Sequence, residues 1–344
     1  MPMAPTRRSL LIAAAAAPAA LAALRGRSMA EETTFFRIAS GSSGGLYYPL
    51  ASLLAGALSN PLGSGDCPSG ELCGVPGLIA VAQTSDGSIS NLQALTAGLV
   101  ESAFCQADLA HRAYRGSLAG ILPEGARNLR VLAYLYPEYL HLVVRRGHAL
   151  RRLADLTGRR ISIGAEGSGT AIDAFLLLET VGITAANTEL VQLSTVASAA
   201  ALRRGDIDAF LLVSGVPANV VADLAHTDDV DLLPIDLTVA AKAVRALPGF
   251  EKAQIDPGVY HGIGYTPTLS TGALWLADAS LSDALAHAVV ETLWSPATAD
   301  FLALNDPRLA AQLSEKRAVS GVGVPPLHPG AVRFYRQAGL LPAE

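Results

Sequence analysis

The chain predicts an α/β protein of two similar lobes that face each other across a cleft. Three observations carry this. Strand, turn and helix signals alternate along the chain. A short apolar strand, a Gly/Ser turn and an amphipathic helix occur together twice, as FFRIASGSSGGLYYPLASLLAGAL and as RISIGAEGSGTAIDAFLLLETVG. A helix–glycine–strand unit also occurs twice. It reads NLQALTAGLVESAFCQADLA around Gly98 and ALRRGDIDAFLLVSGVPA around Gly205, with Phe104 and Phe210 following in the strands.

Composition fits this. Of 344 residues, 51% are apolar and 16% charged, and 32 are glycine, which is a globular, core-rich balance. The length suits two domains. A net charge of −5 gives a nucleic-acid partner no electrostatic support.

Residues 1–30 read as an export signal and not as fold. Thr6-Arg7-Arg8-Ser9-Leu10-Leu11 precedes an Ala/Leu-rich stretch ending near Leu24, and Ser28-Met29-Ala30 offers a small-x-small cleavage site. The paired arginines fit the twin-arginine type. This segment holds four arginines and no acid, so its removal takes the formal charge from −5 to −9. The mature protein is expected in the periplasm and not inserted in a membrane. There Cys67 and Cys73 are expected to close a small disulfide ring, while Cys105, in the apolar strand pattern SAFCQA, reads as a buried small hydrophobe.

The two Gly/Ser turns set the chemistry. In open α/β sheets ligands sit beyond the carboxyl ends of the strands. Helix N-termini with free N–H groups favour anions there. Bare glycines let the backbone approach a ligand, and hydroxyls complete its hydrogen bonds. Either turn alone could equally be a tight connection with a Ser/Thr cap. Gly41-x-Ser43-x-Gly45 also matches the nucleophile-elbow pattern, which gives the alternative of a secreted serine hydrolase. Its context is poor, because the turn follows the first strand and no acid–histidine spacing stands out. GAEGSGT lacks the lysine of a phosphate loop. The seven histidines form no metal-ligand spacing, and no cofactor is expected.

Seven segments in order resemble the TAXI family of TRAP-transporter solute receptors: GSSGGLYYPLASLL, TSDGSISNLQAL, CQADLAHRAY, VLAYLYPEYLHLVV, LADLTGRRISIGAEGSGT, LRRGDIDAFLLVSGVPAN and LHPGAVRFY. The resemblance implies a type II-like, two-lobed periplasmic binding protein with its ligand cleft between the lobes. It implies a non-enzymatic receptor that captures a small organic anion, of the acidic amino acid or dicarboxylate class, and hands it to a TRAP membrane permease. Lobe I is placed at residues 31–138 and 265–344, and lobe II at 139–264. Serines stand here where the family's first turn more often has threonines, and the segment 61–77 is longer than in many members.

The ligand-binding expectations follow the turns and strand ends. Ser43, Gly44 and Gly45 donate from the first turn, and Ser168, Gly169 and Thr170 from the second. Tyr47 lines the cleft. Ser85 and Asn91 either touch the ligand or support the helix that Asp86 or Ser88 caps. Gln106 and Ser214 sit at strand carboxyl ends, while Asp108 is expected to cap the helix after Gln106. Glu138, where the chain first crosses between lobes, either binds a ligand ammonium or fixes the hinge. The second crossing is placed around residues 258–276, followed by helices packing on lobe I, with Trp275 and Trp294 as core anchors.

Overall fold

The computed structural model of the chain describes residues 33–64, 71–118, 120–122, 126–147, 150–227, 230–320 and 323–343. The segment 1–30, expected to be an export signal, and Cys67 lie outside these residues, and so therefore does the expected Cys67–Cys73 pairing.

The first lobe begins with β1 (Thr34–Ala39), α1 (Tyr47–Leu58), the short β2 (Ser59–Asn60) and β3 (Val75–Pro76), then β4 (Leu78–Gln83), α2 (Ser88–Thr96), β5 (Ser102–Gln106) and α3 (Ala107–Tyr114). A long strand, β6 (Leu129–Arg145), crosses to the second lobe. That lobe runs through β7 (Arg160–Ser162), α4 (Gly169–Glu179), β8 (Glu189–Val191), α5 (Thr195–Arg204), β9 (Ala209–Ser214), α6 (Asn219–His226), β10 (Val230–Leu232), α7 (Leu237–Ala246) and β11 (Glu251–Ile255). A second long strand, β12 (Thr266–Asp278), returns to the first lobe. There α8 (Asp283–Leu293), α9 (Pro296–Asn305), α10 (Pro307–Ala310) and α11 (Pro329–Gln337) complete the chain.

One continuous sheet links the lobes, in the order β3-β2-β4-β1-β5-β12-β6-β9-β7-β8. Around the crossing pair it is symmetric. β4, β1 and β5 pair in parallel on one side, and β8, β7 and β9 on the other. The sequence echo is thus a structural one: β1–α1 matches β7–α4, and α2–β5 matches α5–β9. Gly98 and Gly205 both take left-handed φ values, 67° and 77°, where each helix ends. β6 and β12 pair antiparallel with each other, opposing Glu138 to Thr271.

Burial explains the elements. Leu50, Ala51, Leu54, Ala55 and Leu58 lie on one face of α1 and pack under β1. The helices α8–α11 contribute Val289, Leu293, Leu302, Leu309 and Tyr335 to the same core. Trp275 is fully buried within it, edge-on to Phe36 and Phe104. Trp294 is partly buried and donates its indole N–H to Tyr335 Oη at 3.1 Å. Separate apolar clusters, built on Leu177 and Leu211 and on Phe210 and Val221, fill the second lobe. Cys105 is a buried free thiol. The second crossing runs over Thr266–Asp278 and not from residue 258, because Gly258 and Gly262 adopt positive φ in a turn first. Among the described residues no helix is long and apolar enough to cross a membrane.

Candidate functional site

A cavity of about 70 Å³ lies between the lobes at the carboxyl ends of the parallel strands. It continues into a smaller one of about 30 Å³ through Ser42, Asp86, Ser168, Thr170, Thr195 and Leu212. From the first lobe come Gly41, Ser42, Gly45, Leu46, Tyr47, Asp86, Gly87, Ser88 and Gln106. The second supplies Ser168, Gly169, Thr170, Thr195 and the backbone run Leu212–Ser214, and Glu138 of β6 lies between the two.

Five helix N-termini converge here: those of α1, α2, α3, α4 and α5. Their N–H groups make an electropositive frame without a cationic side chain. Among the described residues no lysine, arginine or histidine lines the cavity. Ser168 caps α4, accepting from Ala171 N at 3.1 Å, and Ser194 caps α5 by accepting from Ala197 N at 3.3 Å. Thr170 Oγ1 accepts from Val213 N at 3.0 Å and so ties α4 to the end of β9.

Of the twelve expected ligand-binding residues, eight line the cavity: Gly45, Tyr47, Gln106, Glu138, Ser168, Gly169, Thr170 and Ser214. Four do not. Ser43 is exposed on the turn. Gly44 faces the other lobe, and a Cβ there would stand 2.8 Å from Val196 Cγ2. Ser85 and Asn91 are braces. Asn91 Nδ2 donates to the carbonyls of Ser40 and Phe104 at 2.6 and 2.7 Å, and its Oδ1 accepts from Ser85 Oγ at 2.6 Å. Together they fix the first turn against the end of β5.

None of Gly41, Gly44 and Gly45 is among the positive-φ glycines. Gly44 is bare because the lobes touch there, whereas a Cβ on Gly41 would stand 3.2 Å from Tyr47 Cβ of its own lobe and one on Gly45 would meet nothing closer than 3.8 Å. The contact between the lobes extends beyond this turn. Ser90 N donates to Gly167 O at 3.1 Å across the cleft, and a Cβ on Gly169 would fall 1.7 Å from Gln106 Oε1. The lobes are closed on one another.

Glu138 is 3% exposed and accepts from Tyr47 Oη–H at 2.7 Å. Burial pushes its carboxyl up to about 8, against the pull of the tyrosine bond. Tyr47 is itself buried, edge-on to Phe104. His141, three residues on, lies outside the cavity. It is bonded to Tyr260 Oη at 2.8 Å and held down to about 4 by burial.

Asp108 is not a helix cap. Gln106 is the N-cap residue of α3, with no side-chain cap, and Asp108 is wholly buried where the lobes meet. Gly87 likewise precedes α2 with no side-chain cap, so Asp86 and Ser88 line the cavity and do not cap it. Sequence reasoning also passed over Gly41, Ser42 and Thr195. Thr195 opens α5, the counterpart of α2, so the internal echo with Ser88 was the available signal.

The serine-hydrolase alternative finds no support in this geometry. Ser43 stands outside the cavity, and no histidine lines it. Among the described residues no group of three or more His, Cys, Asp or Glu is arranged to hold a metal.

Solved structures resemble the chain to different degrees, and one of them, a periplasmic transporter, shares its fold. It matches at 12% identity over 89% of this chain and 92% of its own, with a TM-score of 0.51. The alkanesulfonate-binding protein of Xanthomonas axonopodis pv. citri, bound to MOPS, matches at 16% identity over 91% and 96%, with a TM-score of 0.47. The aliphatic sulphonate binding protein of Escherichia coli matches at 15% over 88% and 82%, with a TM-score of 0.46. These are likenesses of fold. The family model for the NMT1-like family matches residues 38–339, most of the chain, and the protein belongs to that family.

Proposed function

We propose that the protein is a periplasmic solute-binding receptor that closes its lobes, taken as 31–138 with 265–344 and as 139–264, on a small organic anion. The observation that carries this is the convergence of five helix N-termini on a cavity with no basic side chain. Backbone N–H and hydroxyl donors then hold a carboxylate without a guanidinium. Glu138 faces the same cavity, and a ligand ammonium beside it would draw its raised pKa back down and pair with the resulting carboxylate. Among anions this favours an acidic amino acid over a plain dicarboxylate. Delivery to a TRAP-type permease rests on the TAXI resemblance of the sequence blocks, a finer assignment than the NMT1-like family match.

A thermal-shift panel tests the reading. L-glutamate, L-aspartate, succinate, a short alkanesulfonate and a neutral sugar are each added to the mature protein. Glutamate or aspartate is expected to raise the melting temperature, with stabilisation of about 2.7 kcal/mol at 100 times Kd. A panel without any shift contradicts the receptor reading. Export also implies the Cys67–Cys73 disulfide. Non-reducing peptide mapping is expected to recover the two cysteines linked, and alkylation of both in unreduced protein would remove the disulfide from the account.

A further inference from the structure

Asp108 of α3 and Asp173 of α4 belong to opposite lobes, and both side chains are fully buried. Both carboxyl oxygens of Asp108 and Oδ1 of Asp173 have no hydrogen-bond partner. The remaining oxygen, Asp173 Oδ2, accepts from Gln106 Nε2 at 2.6 Å, a bond from the first lobe to the second. The lobes press together around the pair. A Cβ on Gly249 would stand 2.8 Å from Asp108 Cβ, and Arg112 Nη2 donates to Ala246 O at 3.1 Å.

Three oxygens of two buried carboxyls and one buried donor, Arg112 Nε, are without partners; a proton held between the carboxyls satisfies two of the oxygens, one as donor and one as acceptor. The outside charge that acts on the pair is that of Arg112 on α3; Glu138 on β6 and the Cys105 thiol on β5 are themselves pushed towards their neutral forms by burial and by the carboxylate charge beside them. His111, beside Arg112 on α3, faces a separate cavity with Glu251 and Arg317. On the connection from α7 to β11, Gly249 packs against Asp108 and Ala246 O accepts from Arg112. Among the described residues Arg112 is the cation whose charge acts on both carboxyls, enough for one carboxylate and not for two.

The geometry points to a proton-binding site that exists only when the lobes close: Asp108 and Asp173 share one proton across the junction, so closure takes up a proton. This rests on the hinged receptor proposed above. Burial holds Asp108 up to about 6, against the opposing pull of Asp173's hydrogen bonding and the Arg112 charge, while burial and the Asp108 charge hold Asp173 well above its ordinary range. In the open form both carboxyls meet water and ionise normally. Between the open and closed values, the closed-to-open ratio falls up to about tenfold for each pH unit gained.

The test needs no ligand, so failure of the compound panel leaves it intact. Spin labels at the exposed positions 99 and 237, one per lobe, report the interlobe distance by pulsed electron resonance from pH 5 to 8. The Glu138→Gln background removes the other buried carboxyl. The closed population is expected to fall as pH rises. Asp173→Asn, a permanently neutral partner, is expected to stay closed with no pH dependence, and Asp108→Asn to lose the same slope. A flat profile in the Glu138→Gln background overturns the proposal. So does a slope that survives both asparagine variants.

Discussion

Glu138 is the residue on which the cleft's chemistry turns. Its carboxyl is wholly desolvated and held by one hydrogen bond from Tyr47. The folded protein keeps this proton up to about pH 8, whereas the unfolded chain loses it near 4.5. Between these values the native state binds more protons, so stability falls as pH rises, by about 1.4 kcal/mol per unit from this group. Glu138→Gln is expected to flatten that decline between pH 5 and 8 in urea melts. An unchanged slope would place the titration elsewhere. Tyr47→Phe removes the hydroxyl that donates to this carboxyl, leaving a buried acceptor without that partner. A loss of about 1–3 kcal/mol is expected by denaturant unfolding, together with a further rise of the Glu138 pKa in a carboxyl-resolved titration.

At the scale of elements, the strand–turn–helix units were legible because they occur twice. A doubled pattern of apolar strand, glycine turn and amphipathic helix has few other foldings, and β1–α1 and β7–α4 adopt it. The strand ends were legible too, since Gln106 and Ser214 close the apolar runs of β5 and β9. What the sequence hid depends on how the lobes dock. Ser85 and Asn91 carry the same donors whether they brace a turn or hold a ligand, and only burial against Ser40 and Phe104 decides. Asp108 looked like a cap because it stands one residue into a helix. Its true setting, against Asp173 of the other lobe, lies in no local pattern. Gly169 belongs to this scale as well. A methyl there meets Gln106 and Leu109 only when the lobes are closed. Overpacking of that kind costs on the order of 1–3 kcal/mol. Gly169→Ala is thus expected to weaken ligand affinity about tenfold or more while leaving the ligand-free melting temperature within a few degrees. An equal loss of both would show that the glycine serves the fold and not the closure.

On the whole-molecule scale, β6 and β12 make one sheet of two lobes, and the site exists only between them. Each lobe supplies its own apolar core, so the lobes can part without unfolding. The cavity between them is built from both lobes and from helix N-termini rather than from charged side chains. A receptor of this kind should retain its solute through purification when binding is tight. Native mass spectrometry of the mature protein, as purified and again after unfolding and refolding, tests this most directly. A discrete small-molecule adduct, lost on refolding and restored by adding the compound of that mass, is the expected result. A protein that never carries an adduct, and that no amino acid or dicarboxylate added at millimolar concentration can load, would contradict the receptor account.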